Sequence, residues 1–197
     1  MERGRGARSA RGPRVVAGEA RGMRLVAPRG GRTRPTADRV KESVFGALGP
    51  DRLVDARVLD GYAGTGALAI EALSRGARSA VLVDRDPSAI DAIRRNLRTT
   101  HMTDRAIVQR RGLLSYVRGT PPEEPFDLVF LDPPYDSSGT ELSTVLTALG
   151  DAGWLRDEAT VVIEQRAAAG PVALPDGWLI GWERGYGDTL VVLAGRP

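Results

Sequence analysis

Largely apolar runs alternate with amphipathic segments between residues 57 and 164, and this alternation leaves the chain few possible folds. The runs predict β-strands, and the segments between them predict helices that connect parallel strands. The runs do not alternate residue by residue, which is typical of strands covered by helices on both faces. The predicted strands are Arg57–Asp60, Ala80–Asp84, Ala106–Arg110, Asp127–Leu131 and Thr160–Glu164, and the predicted helices are Ala67–Arg75, Pro87–Thr99, Leu113–Arg118 and Glu141–Leu149.

The last twenty residues follow a different pattern. Trp178–Arg184 and Thr189–Ala194 read as two strands, and the segment between them, Gly185-Tyr186-Gly187-Asp188, is rich in turn residues. Strands joined by so short a connection are antiparallel. We therefore predict a doubly wound, mostly parallel α/β sheet that ends in an antiparallel hairpin.

The N-terminal part divides into three segments. Residues 1–13 are rich in Gly and Arg and have no apolar periodicity, so we expect a disordered tail. Residues 14–35 predict a small β-hairpin, with strands at 14–18 and 23–28, followed by a basic loop. Residues 36–197 form the main domain, which begins with a helix that Thr36 caps.

Positive charge is concentrated at the N-terminus. Residues 1–34 contain ten arginines and two glutamates, whereas the remaining chain contains 18 basic and 23 acidic side chains. A basic arm on an acidic body predicts a polyanionic partner, and nucleic acid is the best fit. The candidate RNA contacts are Arg14, Arg21, Arg24, Arg32 and Arg34.

The composition excludes several kinds of chemistry. The chain has no cysteine and one histidine, so disulfides, iron–sulfur clusters, thiol nucleophiles and multi-histidine metal sites are excluded. No apolar run approaches the length of about 18 residues that a membrane span needs. We expect a cytoplasmic monomer that uses no metal.

Polar and glycine residues follow three of the predicted strands. Asp60 is followed by Gly61-Tyr62-Ala63-Gly64-Thr65-Gly66, Asp84 ends the second strand, and Asp132-Pro133-Pro134-Tyr135 follows the fourth. Ligands of open α/β sheets bind outside these carboxyl ends. A Gly-rich turn brings backbone N–H groups close to a ligand, and an acidic residue at the next strand end suits a ribose diol. The pattern indicates a nucleotide-like cofactor.

Two cofactor classes fit the turn. Gly64-Thr65-Gly66-Ala67-Leu68-Ala69 satisfies the dinucleotide pattern, so an NAD-dependent oxidoreductase is an alternative. However, the carboxylate of Asp60 would crowd a pyrophosphate and could pair with an ammonium group, and no hydride-transfer acid is evident. An adenosyl cofactor that carries an amino-acid ammonium group fits better.

The Asp-Pro-Pro-Tyr tetrapeptide predicts the acceptor. Two prolines remove two N–H donors and fix φ at both positions, which gives a stiff turn. Asp132 and the Pro133 carbonyl can accept from the exocyclic amine of a base, while Tyr135 stacks on its ring. Such positioning favours transfer of a methyl group to the amine nitrogen.

These motifs resemble the class I S-adenosylmethionine-dependent methyltransferases that modify exocyclic amines. Three further segments resemble the bacterial 16S rRNA guanine-N2 methyltransferases of the RsmD type, so that the resemblance covers residues 14–194. It implies a seven-stranded sheet with an N-terminal β-hairpin, S-adenosyl-L-methionine as methyl donor, and a guanine of 16S rRNA in the assembled small ribosomal subunit as acceptor. The segments are Arg34–Phe45, Glu71–Ala77 and Arg184–Thr189.

The resemblance also implies roles for individual residues. Asp132, Pro133, Pro134 and Tyr135 would hold the guanine amine. Two positions depart from the family: Gly61 replaces a larger apolar residue, and Arg111-Gly112 lacks the acidic or amide side chain that reaches adenine, which leaves that contact to the backbone at Leu113. Methylation of amines in DNA or other RNA, and RNA binding without catalysis, remain alternatives. The cofactor would contact Thr36, Asp60, Gly61, Tyr62, Ala63, Gly64, Gly66, Asp84, Arg85 and Leu113.

Overall fold

A computed structural model describes residues 12–28, 37–134, 139–151 and 153–196. These residues form one mixed β-sheet with helices on both faces. The strands are β1 Arg57–Gly61, β2 Ser79–Asp84, β3 Ala106–Arg110, β4 Phe126–Leu131, β5 Leu155–Arg166, β6 Leu179–Tyr186 and β7 Thr189–Gly195. The helices are α1 Ala37–Leu48, α2 Ala67–Ser74, α3 Pro87–Thr99, α4 Leu113–Val117 and α5 Gly139–Gly150, with 3₁₀ turns at Thr103–Arg105 and Ala167–Ala169.

The sheet order in the described chain is β3-β2-β1-β4-β5-β7-β6. Strands β1 to β5 are parallel, and β7 pairs antiparallel with both β5 and β6. The predicted doubly wound, seven-stranded sheet with an antiparallel hairpin is confirmed. Strand β5 begins earlier than predicted, because the residues near its start, Arg156-Asp157-Glu158, are polar and exposed and carry no apolar signal.

The core has two halves, one on each face of the sheet. Successive residues of a strand point to opposite faces, so Val58 of β1 packs with α1, α2 and α3, while Leu59 packs with α4 and α5. Helix α3 starts as predicted, because Asp86 accepts from the Ser88 N–H at 2.8 Å and Pro87 follows it. Within the described residues, no helix is long and apolar enough to cross a membrane.

Residues 12–28, which we call the N-terminal arm, pack on the side of the molecule that α1, α2 and α3 form. The predicted hairpin is reduced to one antiparallel bridge between Arg14 and Arg24. Backbone bonds from Val15 N–H to the Met23 carbonyl and from Leu25 N–H to the Pro13 carbonyl flank this bridge, at 2.9 and 2.8 Å. Beyond them, the N–H groups of Val16 and Ala17 bond to the Glu71 carboxylate, at 2.8 and 2.9 Å. Residues 1–11 of the predicted tail lie outside the described residues, as do the basic loop 29–35 and the predicted cap Thr36.

Glu71 holds the arm through a buried cluster of charges. Its carboxylate is fully buried on α2 and lies 3.4 Å from Lys41 Nζ and 2.8 Å from Arg75 Nε. Lys41 is only 4% exposed and also donates to the Arg14 carbonyl. The arm, α1 and α2 therefore depend on one another, since a buried charge needs its partner.

We expect Glu71→Gln to lower the free energy of unfolding by about 3 kcal/mol, the usual cost of breaking a buried ion pair. The substitution removes the negative charge that faces Lys41, and urea denaturation measures the loss. Glu124, which is exposed and bonds Arg78 at the surface, provides the matched control. Glu124→Gln should leave the urea midpoint unchanged; equal losses in both variants would contradict the argument from burial.

Candidate active site

The carboxyl ends of three neighbouring strands, β2, β1 and β4, lie side by side. Gly61, the last residue of β1, pairs with Val83 of β2 and with Leu131 of β4. Because adjacent strands are about 4.8 Å apart, the residues that follow them are brought together. The Gly-rich turn, Asp84 and Asp132 therefore meet at the carboxyl end of the sheet, as predicted.

The Gly-rich turn needs glycine at two positions. Gly64 and Gly66 have φ of 54° and 74°, a conformation that favours glycine. A Cβ on Gly66 would lie 2.9 Å from Leu82 Cδ2, so this glycine lets α2 begin close to the sheet. A Cβ on Gly64 would have only the Tyr62 carbonyl oxygen nearby, at 3.9 Å. The turn therefore packs against the sheet at Gly66 and leaves open space at Gly64.

Tyr62 is a non-glycine residue at positive φ, 62°, which is unfavourable for its backbone. Its hydroxyl donates to Glu141 Oε1 of α5 at 3.2 Å, and its ring is half-buried against the core. Burial raises the pKa of the Tyr62 hydroxyl, and the charge of Glu141 raises it further. The side-chain contacts thus hold the backbone in a strained conformation at the site.

Asp84 uses both of its carboxylate oxygens, and one of them bonds the Gly-rich turn. Oδ2 accepts from the Gly64 N–H at 2.8 Å, and Oδ1 accepts from the Asp86 N–H at 2.9 Å. A carboxylate oxygen can accept more than one hydrogen bond, so the half-buried group retains capacity for a ligand. Arg85 is exposed beside it.

Asp60 lies beneath the turn and is 2% exposed. Its Oδ2 accepts from the Ala69 N–H of α2 at 3.0 Å. Burial raises the pKa of Asp60 well above its ordinary value, the bond from Ala69 opposes this, and the charges of Asp132 and Asp84 raise it further. The three carboxylates are thus close enough to act on one another, and the site favours a cationic ligand.

The space that a side chain at position 61 would occupy is filled from another element. A Cβ on Gly61 would lie 2.5 Å from Leu113 Cδ2 and 3.1 Å from Leu131 Cδ2. Leu113, at the start of α4, is 2% exposed. The smaller residue at position 61 is therefore compensated by the side chains of Leu113 and Leu131. Ala63 of the same turn is also buried, and its N–H donates to the Val83 carbonyl at 3.1 Å.

The predicted acceptor turn follows β4 at the carboxyl end of the sheet. Asp132 and Pro134 are exposed and Pro133 is half-buried. Four predicted site residues, Tyr135, Thr36, Arg32 and Arg34, lie outside the described residues. The ligand-binding roles of all the predicted residues stay predictions.

The three described arginines of the predicted RNA contact lie on the surface of the arm. Arg14 and Arg24 face each other across the bridge and are exposed, while their neighbours Val15 and Leu25 are buried. Arg21 is exposed in the turn between them. The exposed positive charges on this surface of the arm suit an anionic partner.

Sequence reasoning missed Asn96 and Glu141. Asn96 on α3 is 1% exposed and bonds the backbone of both Val26 and Thr65. Its signal was available, because a polar residue between Ile93 and Leu97 interrupts the apolar face of α3. Glu141 had no comparable signal, since acidic residues are common in the first turn of a helix.

A cavity of about 660 Å³ lies along α5 and is lined by Arg118, Thr144, Thr147 and Asp151 among others. None of the predicted site residues that the structure describes lines it. No cluster of potential metal ligands occurs among the described residues.

Known proteins similar to this chain point to one family. Residues 13–195 match the family described as conserved hypothetical protein 95. Ribosomal RNA small subunit methyltransferase D of Escherichia coli K12 is 35% identical over 177 residues, which are 89% of this chain and 86% of that protein. The Haemophilus influenzae protein of the same name is 32% identical over 175 residues, covering 88% and 89%.

A solved structure extends the similarity to the fold. The structure of the Escherichia coli protein yhhF matches with a TM-score of 0.83 and 33% identity, covering 93% of this chain and 97% of that one. The resemblance predicted from the motifs is confirmed. The chain belongs to the conserved hypothetical protein 95 family and to the family of the ribosomal RNA small subunit methyltransferases D, with the class I methyltransferase fold.

Proposed function

We propose that this protein transfers a methyl group from S-adenosyl-L-methionine to the exocyclic N2 amine of a guanine in 16S rRNA. One observation carries the proposal: the Gly-rich turn after β1 and the Asp132-Pro133-Pro134 turn after β4 leave adjacent strands at paired positions. A donor on the first and a base on the second would be neighbours. Relatives named as small-subunit rRNA methyltransferases support the choice of substrate.

The residues at the turn fit the cofactor. Gly64 leaves open space, and Asp84 offers a carboxylate that suits a ribose diol. Asp60, Asp84 and Asp132 together favour an ammonium and a sulfonium group over the two negative charges of an NAD pyrophosphate. When bound, S-adenosylmethionine supplies a methyl group on a positively charged sulfur.

The acceptor turn would hold the base. The carboxylate of Asp132 and the carbonyl of Pro133 would accept hydrogen bonds from the N2 amine, and Tyr135 would stack on the ring. These bonds favour a nitrogen geometry with a localised lone pair, which an amine conjugated to a ring otherwise lacks. The guanine must leave its stack to reach this position.

The N-terminal arm would contact the RNA backbone. Arg14, Arg21 and Arg24 are exposed on a segment that is fixed on the domain by hydrogen bonds to buried side chains of α2 and α3. We assign residues 14–35 to RNA contact and residues 36–197 to catalysis. The partner is the assembled small ribosomal subunit in the cytoplasm, bound by a monomer.

Transfer of labelled methyl tests the proposal directly. Small subunits from a strain that lacks the enzyme, naked 16S rRNA and duplex DNA are each incubated with the protein and labelled donor. We expect label in the small subunits, and nucleoside analysis should identify N2-methylguanine. Label in DNA alone, or in none of the RNA substrates, would overturn the assignment.

In the same assay, Asp132→Ala should lower kcat by about 100-fold or more, the usual effect of removing one group that stabilises a transition state. Binding of S-adenosylhomocysteine should change little, because Asp132 would face the acceptor and the transferring sulfur, and the sulfur of S-adenosylhomocysteine carries no charge. Asp157→Ala, at an exposed acidic residue of β5, is the matched control and should retain full activity. Full activity of Asp132→Ala would exclude its role.

Asp60→Asn should separate stability from binding. Because the pKa of Asp60 is raised above the ordinary 3.8, its carboxyl favours folding at low pH, and this contribution is lost as the pH rises through the folded-state pKa. The side chain of asparagine does not ionise, so the variant does not lose stability as the pH rises, and its amide oxygen can still accept from the Ala69 N–H. We expect a higher Tm than the wild type at pH 8, no advantage at pH 4, and about ten-fold weaker cofactor binding by calorimetry. Unchanged cofactor affinity would contradict pairing of Asp60 with the ammonium group.

The double variant Arg14→Ala/Arg24→Ala should weaken binding to small subunits without changing affinity for the cofactor. Loss of two phosphate contacts lowers the slope of log affinity against log salt concentration by about 1.5 to 2. Arg94→Ala/Arg98→Ala, which removes two exposed arginines from α3, is the control and should leave the slope unchanged. Equal changes in both variants would point to net charge rather than to the arm.

A further inference from the structure

The side chain of Asn96 joins two parts of the molecule that are distant in sequence. Its Oδ1 accepts from the Val26 N–H at 2.8 Å, and its Nδ2 donates to the Val26 carbonyl at 3.0 Å and to the Thr65 carbonyl at 2.8 Å. An amide side chain has two N–H donors and one carbonyl acceptor. Each of these groups is used in a site that is 1% exposed.

The two ends of this link carry different proposed tasks. Val26 belongs to the arm and lies two residues before the end of its described part, just ahead of the basic loop. Thr65 lies between Gly64 and Gly66 in the turn that would hold the cofactor. Water has little access to the Asn96 amide, so a bond broken at either end would leave a buried polar group unpaired, which is costly. Displacement of the turn and of the arm must therefore be correlated.

We propose that Asn96 is a positioning residue that couples cofactor binding at the Gly-rich turn to RNA binding at the arm. The inference rests on the proposed function and deepens it. A ligand that orders one end lowers the entropic cost of ordering the other, so that each ligand strengthens binding of the second. The coupling is reciprocal: RNA raises cofactor affinity by the same factor by which the cofactor raises RNA affinity.

The other anchors of the arm lack this connection. Ser74 accepts from the Ala20 N–H at 3.0 Å and donates to the Ala17 carbonyl at 2.6 Å. Within the described part of the chain, the hydrogen bonds of its side chain go to the arm and not to the turn. Ser74→Ala therefore weakens the hold on the arm without breaking the link, and it is the matched control for Asn96→Ala.

The experiment measures the affinity for S-adenosylhomocysteine with and without saturating small subunits, and the affinity for subunits with and without S-adenosylhomocysteine. Each pair of measurements gives a ratio of affinities with and without the second ligand. In the wild type, we expect the two ratios to agree and to be at least about five, as is usual for coupled sites. Asn96→Ala should bring the ratio to one, while Ser74→Ala keeps it. A ratio that persists in Asn96→Ala, or that disappears equally in both variants, overturns the inference.

A second measurement needs no variant and decides the matter if Asn96→Ala does not fold. Amide hydrogen exchange of the wild type is followed before and after addition of S-adenosylhomocysteine. Exchange at the Val26 N–H should slow by about five-fold, whereas exchange at the Ala20 N–H, which Ser74 holds, should not change. An unchanged exchange rate at the Val26 N–H overturns the inference.

The two levels of the proposal can fail separately. If the protein methylates small subunits but the wild-type ratio is one, only the coupling is wrong. If it neither binds S-adenosylhomocysteine nor methylates any RNA, the proposed function is wrong and the coupling is wrong with it.

Discussion

The pairing of β1 with β2 on one side and β4 on the other is the constraint on which the site depends. Backbone hydrogen bonds fix this register, and they place Gly61 opposite Val83 and Leu131. A shift by one residue would turn the buried side chains of β1 towards the opposite face. The packing of both halves of the core therefore also sets the positions of the three carboxylates at the strand ends.

Buried polar side chains carry out a second task, which is to fasten the arm. Glu71, Ser74 and Asn96 bond its backbone from α2 and α3. The arm pairs with itself only over a short stretch around the Arg14–Arg24 bridge, so these side chains supply hydrogen-bond partners where that pairing ends. This arrangement allows a short, highly charged segment to be held in place on the domain while its arginines remain exposed.

Strands β1 to β5 were predictable because each contains an apolar run and is separated from the next by a helix, and one of these helices, α3, has the clear start signal Asp86-Pro87. The strand-end carboxylates followed from the same logic. The polar start of β5 was not predictable, since residues 156–158 lie in the irregular stretch between the paired residues Leu155 and Thr160 and have exposed side chains. Nor was the shortened hairpin, because sequence alone does not reveal that a carboxylate 54 residues away takes the N–H group of Ala17.

The packing around Gly61 has a consequence for how this chain can vary. The volume that a side chain at position 61 would fill belongs instead to Leu113, which is 52 positions further along, and to Leu131. The side chains at these positions share one fixed volume, so a larger side chain at one position requires a smaller one at another. Among relatives, the identities at 61 and 113 should therefore change in concert, as two occupants of a single void.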